Sequence, residues 1–180
     1  MYNVLKSAWN GYLNFGFDVG GYRGQNISKN IFLRWVQVGA LLPFMENGGN
    51  GKHQPWVFDQ ETVNIYRNYV DLHYKLKPTF LTCASEKYPH KKSVITPVAK
   101  KIGQDSTSLP DNYNYLLCDN LLVAPVFEEN GQAEVVFPKG FNWAYYFDKT
   151  KVFQGDQRGF YTFSNWETPL FIRSNSIIAL

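Results

Sequence analysis

FGFDVGGYRG, residues 15–24, joins an apolar run to a single carboxylate and then to two glycines, an aromatic and an arginine. The run reads as a short strand, and Gly20-Gly21 ends it with a sharp turn. Asp18 therefore falls at the carboxyl end of a short strand, predicted over about 13–18. In parallel α/β folds that is where loops carry ligand-binding groups. A second reading stays open at this point, in which Asp18 caps the following loop by accepting from its backbone amides.

Working outward, residues 2–13 place Val4, Leu5, Ala8, Trp9 and Tyr12 at helical spacing. On the other side Ser28 is an N-cap for a helix with Ile31, Phe32, Trp35 and Val38 on one face, ended by Pro43. The stretch ALLPFM (40–45) reads as a second strand, and ENGGNGKHQP (46–55) as a glycine-rich loop of the kind that bears binding groups. Asp59 caps a third helix that keeps its apolar period through Val63, Tyr66, Val70 and Leu76 until Pro78 closes it. Helices alternating with strands argue for a parallel α/β arrangement. Beyond about residue 90 the pattern changes to the short runs LLVAPVF, AEVVFP, WAYYFD, GFYTFS and PLFIRSNSII, separated by EENG, PKG, QGDQRG and SN. The chain thus reads as α/β and then all-β, the second part antiparallel.

The bulk composition narrows the function. The chain has 180 residues, 44% of them hydrophobic, enough to fill a core. Its 18 basic and 15 acidic residues are dispersed, with only HKK (90–92) and KK (100–101) as basic runs, so no nucleic-acid partner is expected. No apolar run reaches the length of about 18 residues that a membrane span needs, and MYNVLKSAWNGYL lacks the pattern of a signal peptide. Cys83 and Cys118 lie far apart without CxxC spacing, which excludes a disulfide scaffold and a cysteine zinc site; both are read as buried thiols. Aromatic residues make up 17% of the chain, which suits sugar-stacking clefts and β-rich cores equally. GxSxG, GxGxxG, phosphate-loop and HExxH patterns are absent, so nucleophilic serine, nucleotide and zinc-hydrolase chemistry find no support.

The loop MENGGNGKHQPW (45–56) is the second concentration of polar groups, with Glu46, Asn47, Lys52 and His53 able to face a cleft at the end of the second strand. Against this, a histidine in such a loop is commonly just solvated. His73 reads as a packed or solvated helix residue and His90, beside two lysines, as surface. Asn26-Ile27-Ser28 matches a glycosylation sequon of low specificity.

Together LNFGFDVGGYRG, FLRWVQVGALLPFM, the PW of QPWVF, YRNYVDLHYKLKP, DNLLVAPVFEENGQAEVVFPKGFNWAYYF and PLFIRSNSIIAL resemble glycoside hydrolase family 31, the α-glucosidase and α-xylosidase family, in the family's order. The resemblance implies that residues 1–88 are the last two βα units of a (β/α)8 TIM barrel and that 89–180 are the antiparallel β-sandwich that follows it. Because a whole barrel takes about 250 residues, the chain reads as a fragment, with the remainder of the barrel expected in the full-length chain. The implied substrate is an oligosaccharide or α-glycoside, hydrolysed by a retaining double displacement. No cofactor is implied, and the location, secretory or lysosomal in parts of the family, is left open. The family's nucleophile and acid/base aspartates lie on earlier strands, so neither is expected here. The resemblance makes Asp18 a carboxylate that lines the sugar subsite, and Tyr22 stands where the family has a phenylalanine beside the sugar. Where many members carry Arg-Asn-His, this sequence has Glu46, Asn47 and Gly48, and His53 is a candidate to take the missing histidine's place. A carbohydrate-binding or scaffold module without catalysis, or an inactive truncated product, is the alternative.

Overall fold

The computed structural model describes residues 1–23, 26–49, 51, 53–164 and 166–176. Lys52, among the loop candidates, and the closing IIAL of the last strand-like run lie outside them.

Two successive βα units open the fold after a leading helix, α1 (Tyr2–Trp9). They are β1 (Gly16–Asp18) with α2 (Lys29–Gly39), then β2 (Phe44–Glu46) with α3 (Gln60–Lys87). The strands pair in parallel, with Gly16 opposite Phe44, Phe17 opposite Met45 and Asp18 opposite Glu46. Both helix starts follow the sequence. Ser28 Oγ accepts from the Ile31 amide (3.3 Å), and Asp59 Oδ1 accepts from the Thr62 amide (2.8 Å).

Asp59 also ties α3 to α2 through Lys29 Nζ (2.7 Å). The Lys29 bond, then the Thr62 hydroxyl and amide, hold the Asp59 carboxyl at about 2, below its ordinary value. A carboxyl lowered on folding contributes stability that is complete above its unfolded pKa and is lost as pH falls through the folded one. Asp59→Asn is therefore expected to flatten the fall in stability between about pH 4 and pH 2, as followed by urea denaturation at stepped pH. An unchanged slope would remove Asp59 from the acid transition.

The second helix differs from expectation in which face it buries. Phe32, Leu33, Val36, Gln37 and Val38 are buried, whereas Ile31 is half exposed and, with Trp35 and Val38, lines a cleft. The third helix does not close at Pro78 but runs on to Lys87. Proline removes the amide that would bond the Tyr74 carbonyl, yet Pro78, Tyr74 and Lys77 all face solvent, where water serves that carbonyl. Past the proline, Phe80 and Cys83 continue the buried stripe of Ile65, Tyr69, Leu72 and Leu76, and this packing holds the helix together.

The remainder is antiparallel. Strands β3 (Ile95–Pro97), β4 (Tyr115–Leu117), β5 (Leu121–Val123), β7 (Asn142–Tyr145), β8 (Val152–Gln154) and β10 (Leu170–Arg173) form one sheet in the order β3-β4-β5-β10-β7-β8. A short helix, α4 (Val98–Lys101), follows β3. Strands β6 (Gln132–Phe137) and β9 (Gln157–Thr162) form a second sheet. Strands β3, β4 and β8 lie outside the runs that the sequence marks as strands.

The central strands of the larger sheet are buried on both sides. Tyr115, Leu117, Leu121, Val123 and Leu170 join the core built by α1, α2 and α3. Leu116, Leu122 and Phe171, at the alternate positions, face β6 and β9. There Phe137 stacks on Phe153 (4.9 Å between centroids) and meets Phe171 edge-on (5.0 Å). This is the α/β piece followed by a β-sandwich that the resemblance implied.

The two parts also meet through one buried phenol. Tyr69 on α3 donates to the Trp166 carbonyl (2.9 Å) and accepts from the Thr168 amide (3.0 Å), just ahead of β10. Gln37 of α2 approaches the same hydroxyl and is itself held by Arg34 (3.0 Å).

Candidate functional site

The alternation of β1 and β2 separates two faces. Phe17, Val19 and Met45 crowd Gly39 of α2, so that face is covered by the helix. Gly16, Asp18, Phe44 and Glu46 occupy the other face, where Phe44 and Glu46 are exposed and Asp18 is half-buried. Asp18 and Glu46 are register partners, so two carboxylates stand side by side at the carboxyl ends of adjacent parallel strands. A side chain at Gly48 would come within 3.2 Å of Asp18 Oδ1 and 3.5 Å of Glu46 Oε1, which places both acids around one point. No ion pair involves either of them among the described residues.

The turn after Asp18 is held from beneath. The Gly21 amide donates to the Asp18 carbonyl (2.9 Å), and the Val19 amide donates to the Glu46 carbonyl (2.7 Å), extending the parallel ladder by one rung. Gly20 has φ +86° and is buried. The His53 ring lies so close that a Cβ on Gly20 would sit 2.8 Å from its Cγ. Only glycine meets both conditions.

The candidate residues thus take different positions. Asp18 is half-buried on the open face beside Glu46. Tyr22 is 66% exposed, and its backbone carbonyl runs close against Gly49, so the first loop rests on the second. His53 is buried at 1% exposure against Gly20, and neither of its ring nitrogens has a hydrogen-bond partner among the described residues. Asn47 leaves the acids and reaches Tyr66 on α3 (3.4 Å). His73 is a packed residue whose Nδ1 meets the Ala40 carbonyl (3.0 Å), and His90 is exposed. Among the described residues no group of three or more His, Cys, Asp or Glu side chains is placed to hold a metal ion.

Sequence reasoning did not foresee a cavity of about 320 Å3 between α2 and the loop after β5. Its walls include Phe17, Arg34, Trp35, Phe127 and Trp166. Phe17 points opposite to Asp18, and neither acid lines this space. The signal was present in Ile31, Trp35 and Val38, whose shared helical face lines the cleft, with Val38 also buried in the core.

Parallel βα units with carboxylates at the strand ends, followed by a β-sandwich, have the form of the end of a (β/α)8 barrel and a domain after it. The particular family is given by comparison: this chain belongs to glycoside hydrolase family 31. Residues 1–83 match the model of the "Glycosyl hydrolases family 31 TIM-barrel domain" and residues 91–178 that of the "Glycosyl hydrolase family 31 C-terminal domain". Alpha-glucosidase 2 of Bacillus thermoamyloliquefaciens is 30% identical over 92% of this chain and 21% of its own length. An alpha-xylosidase of Lactiplantibacillus pentosus is 28% identical over 91% of this chain and 22% of its own. Among solved structures, a Flavobacterium johnsoniae family 31 dextranase complexed with glucose superposes with a TM-score of 0.79 at 27% identity, covering 89% of this chain and 21% of that one. The chain therefore spans about a fifth of the length of these relatives.

Proposed function

We propose that this chain supplies part of the sugar subsite of an α-glycosidase and takes no direct part in bond cleavage. The observation that carries this is the Asp18–Glu46 register pair on the open face of β1 and β2. An ionised carboxylate there accepts hydrogen bonds from sugar hydroxyls, and Asp18, held by the Gly20-Gly21 turn, is the assigned contact. Tyr22, on the adjoining loop, adds a ring and a hydroxyl at the rim. His53 supports the turn, and its ring nitrogens, without a hydrogen-bond partner among the described residues, are the groups it would offer to a hydroxyl.

A retaining glycosidase needs a nucleophile and an acid/base about 5–5.5 Å apart. We assign those roles to aspartates of earlier barrel strands, and residues 1–88 to the end of that barrel, with 89–180 as the following domain. Sugars in solved relatives support a carbohydrate ligand: one structure of the dextranase holds isomaltotriose, and a family 31 sulfoquinovosidase from E. rectale, 26% identical, holds an aza-sugar inhibitor.

Residues 1–180 expressed alone are expected to give no turnover of aryl α-glucosides. In a complete enzyme carrying this segment, Asp18→Asn and His53→Ala should both lower kcat/KM, the aspartate more. Turnover by the isolated chain that Asp18→Asn abolishes would make Asp18 a catalytic group and overturn the proposal. An unchanged kcat/KM in His53→Ala would take that residue out of the subsite.

A further inference from the structure

The turn between β4 and β5 has the wrong sequence for its geometry. The Asn120 amide closes it on the Leu117 carbonyl (3.2 Å), and its two central residues, Cys118 and Asp119, both have positive φ, 53° and 58°. Asn-Gly ordinarily fills these places, because a Cβ in the left-handed region is unfavourable. A cysteine and an aspartate kept there point to a use for their side chains.

Both side chains reach α3. Asp119 pairs with Lys87 in the last turn of the helix and accepts from Thr96 Oγ1 (3.3 Å). Cys118 Sγ lies 3.8 Å from the Thr79 carbonyl oxygen. In an α-helix that oxygen is the acceptor for the amide four residues on, which is Cys83. The Cys118 sulfur therefore sits beside the backbone of Cys83, close enough that each thiol shifts the ionisation of the other. Both are free and nearly buried, 5% and 8% exposed, and the Lys87–Asp119 pair fixes the turn against the helix next to them.

We propose that Cys83 and Cys118 are an oxidisable pair that closes to an intramolecular disulfide, joining the end of α3 to the β-sandwich, with a peroxide as oxidant. Cys83 is the attacking group. The neighbouring Cys118 thiol lowers its thiol, and the Lys87 ammonium acts in the same direction, against burial and the charges of Asp119 and Glu86. Its thiolate attacks one peroxide oxygen, the O–O bond breaks, and Cys83 becomes a sulfenic acid as the other oxygen leaves and takes up a proton to become water. The Cys118 sulfur then attacks the Cys83 sulfur, the S–O bond breaks, and the oxygen departs as a second water carrying the Cys118 proton. Two thiols are oxidised by two electrons and one peroxide is reduced to two waters.

The test is treatment of the intact chain with hydrogen peroxide at neutral pH, followed by thiol titration, non-reducing gel and peptide mapping. The expected result is simultaneous loss of both titratable thiols in a monomer. A peptide linked between Cys83 and Cys118 should be short of two hydrogens, reversed by dithiothreitol, and the oxidised chain should melt higher than the reduced one. Cys118→Ser should instead stop at a sulfenic acid on Cys83, trapped by dimedone. Retention of both thiols, links found only between chains, or a cross-link that lowers the melting temperature would each overturn the proposal.

Discussion

Gly20→Val is expected to lower the stability of the chain by about 3 kcal/mol, read from the urea midpoint, and to disorder the turn that presents Asp18. Two costs combine. At φ +86° a branched side chain sits in the left-handed region, at about 1–2 kcal/mol. In addition, the first atom it adds lands 2.8 Å from Cγ and 3.0 Å from Cδ2 of His53, and 3.0 Å from the Ile27 side chain. The 2.8 Å contact is shorter than real Cβ atoms keep, so the buried ring must move. The two costs separate in a double mutant. Gly20→Ala in a His53→Ala background keeps the backbone penalty but relieves most of the collision, so it should cost less than Gly20→Ala alone. An unchanged midpoint in Gly20→Val would show that the turn is not built on this contact, and with it would go the role given to His53 in supporting Asp18.

The second large effect belongs to Tyr69. Tyr69→Ala should destabilise the chain by about 3–5 kcal/mol, the usual range for deleting a buried aromatic side chain, and should loosen the α3 contact with the segment leading into β10. Tyr69→Phe isolates the polar part. It keeps the ring but leaves the buried Thr168 amide without its acceptor and the Trp166 carbonyl without its donor, for about 1–3 kcal/mol. Burial already pushes this phenol up, so the hydroxyl remains a donor across the neutral range. If hydrogen exchange in β10 is unaltered in Tyr69→Ala while α3 loosens, the two parts are held together by something other than this residue.

The pairing of Glu46 with Asp18 has a physical consequence for the proposed subsite. The point between them is flanked by two carboxyl groups, and no side chain at position 48 fills it. Such a surface accepts hydrogen bonds and donates none from these side chains, so it suits a glycone rich in hydroxyl donors on that side.

Much of this was legible in the linear sequence because it rests on local chemistry. Ser28 and Asp59 cap their helices since a short polar side chain before an apolar period satisfies amides that nothing else reaches. FGFDVGGYRG specified a strand, a carboxylate at its end and a turn that glycine alone permits. The family resemblance followed from such stretches taken in order. What only the tertiary structure decided depends on what each surface meets. Pro78 does not end α3, because its missing hydrogen bond faces water and buried Phe80 and Cys83 hold the turns beyond it. Ile31 and Trp35 share the apolar helical face but line a cleft, since periodicity shows that a face is apolar without showing what covers it. Glu46 became the neighbour of Asp18 through parallel register, and Cys83 the neighbour of Cys118 through a turn against a helix, across separations that no local pattern records. His53, read as a loop residue able to face a cleft, instead lies beneath the turn, because Gly20 has no side chain and the ring occupies the space that leaves.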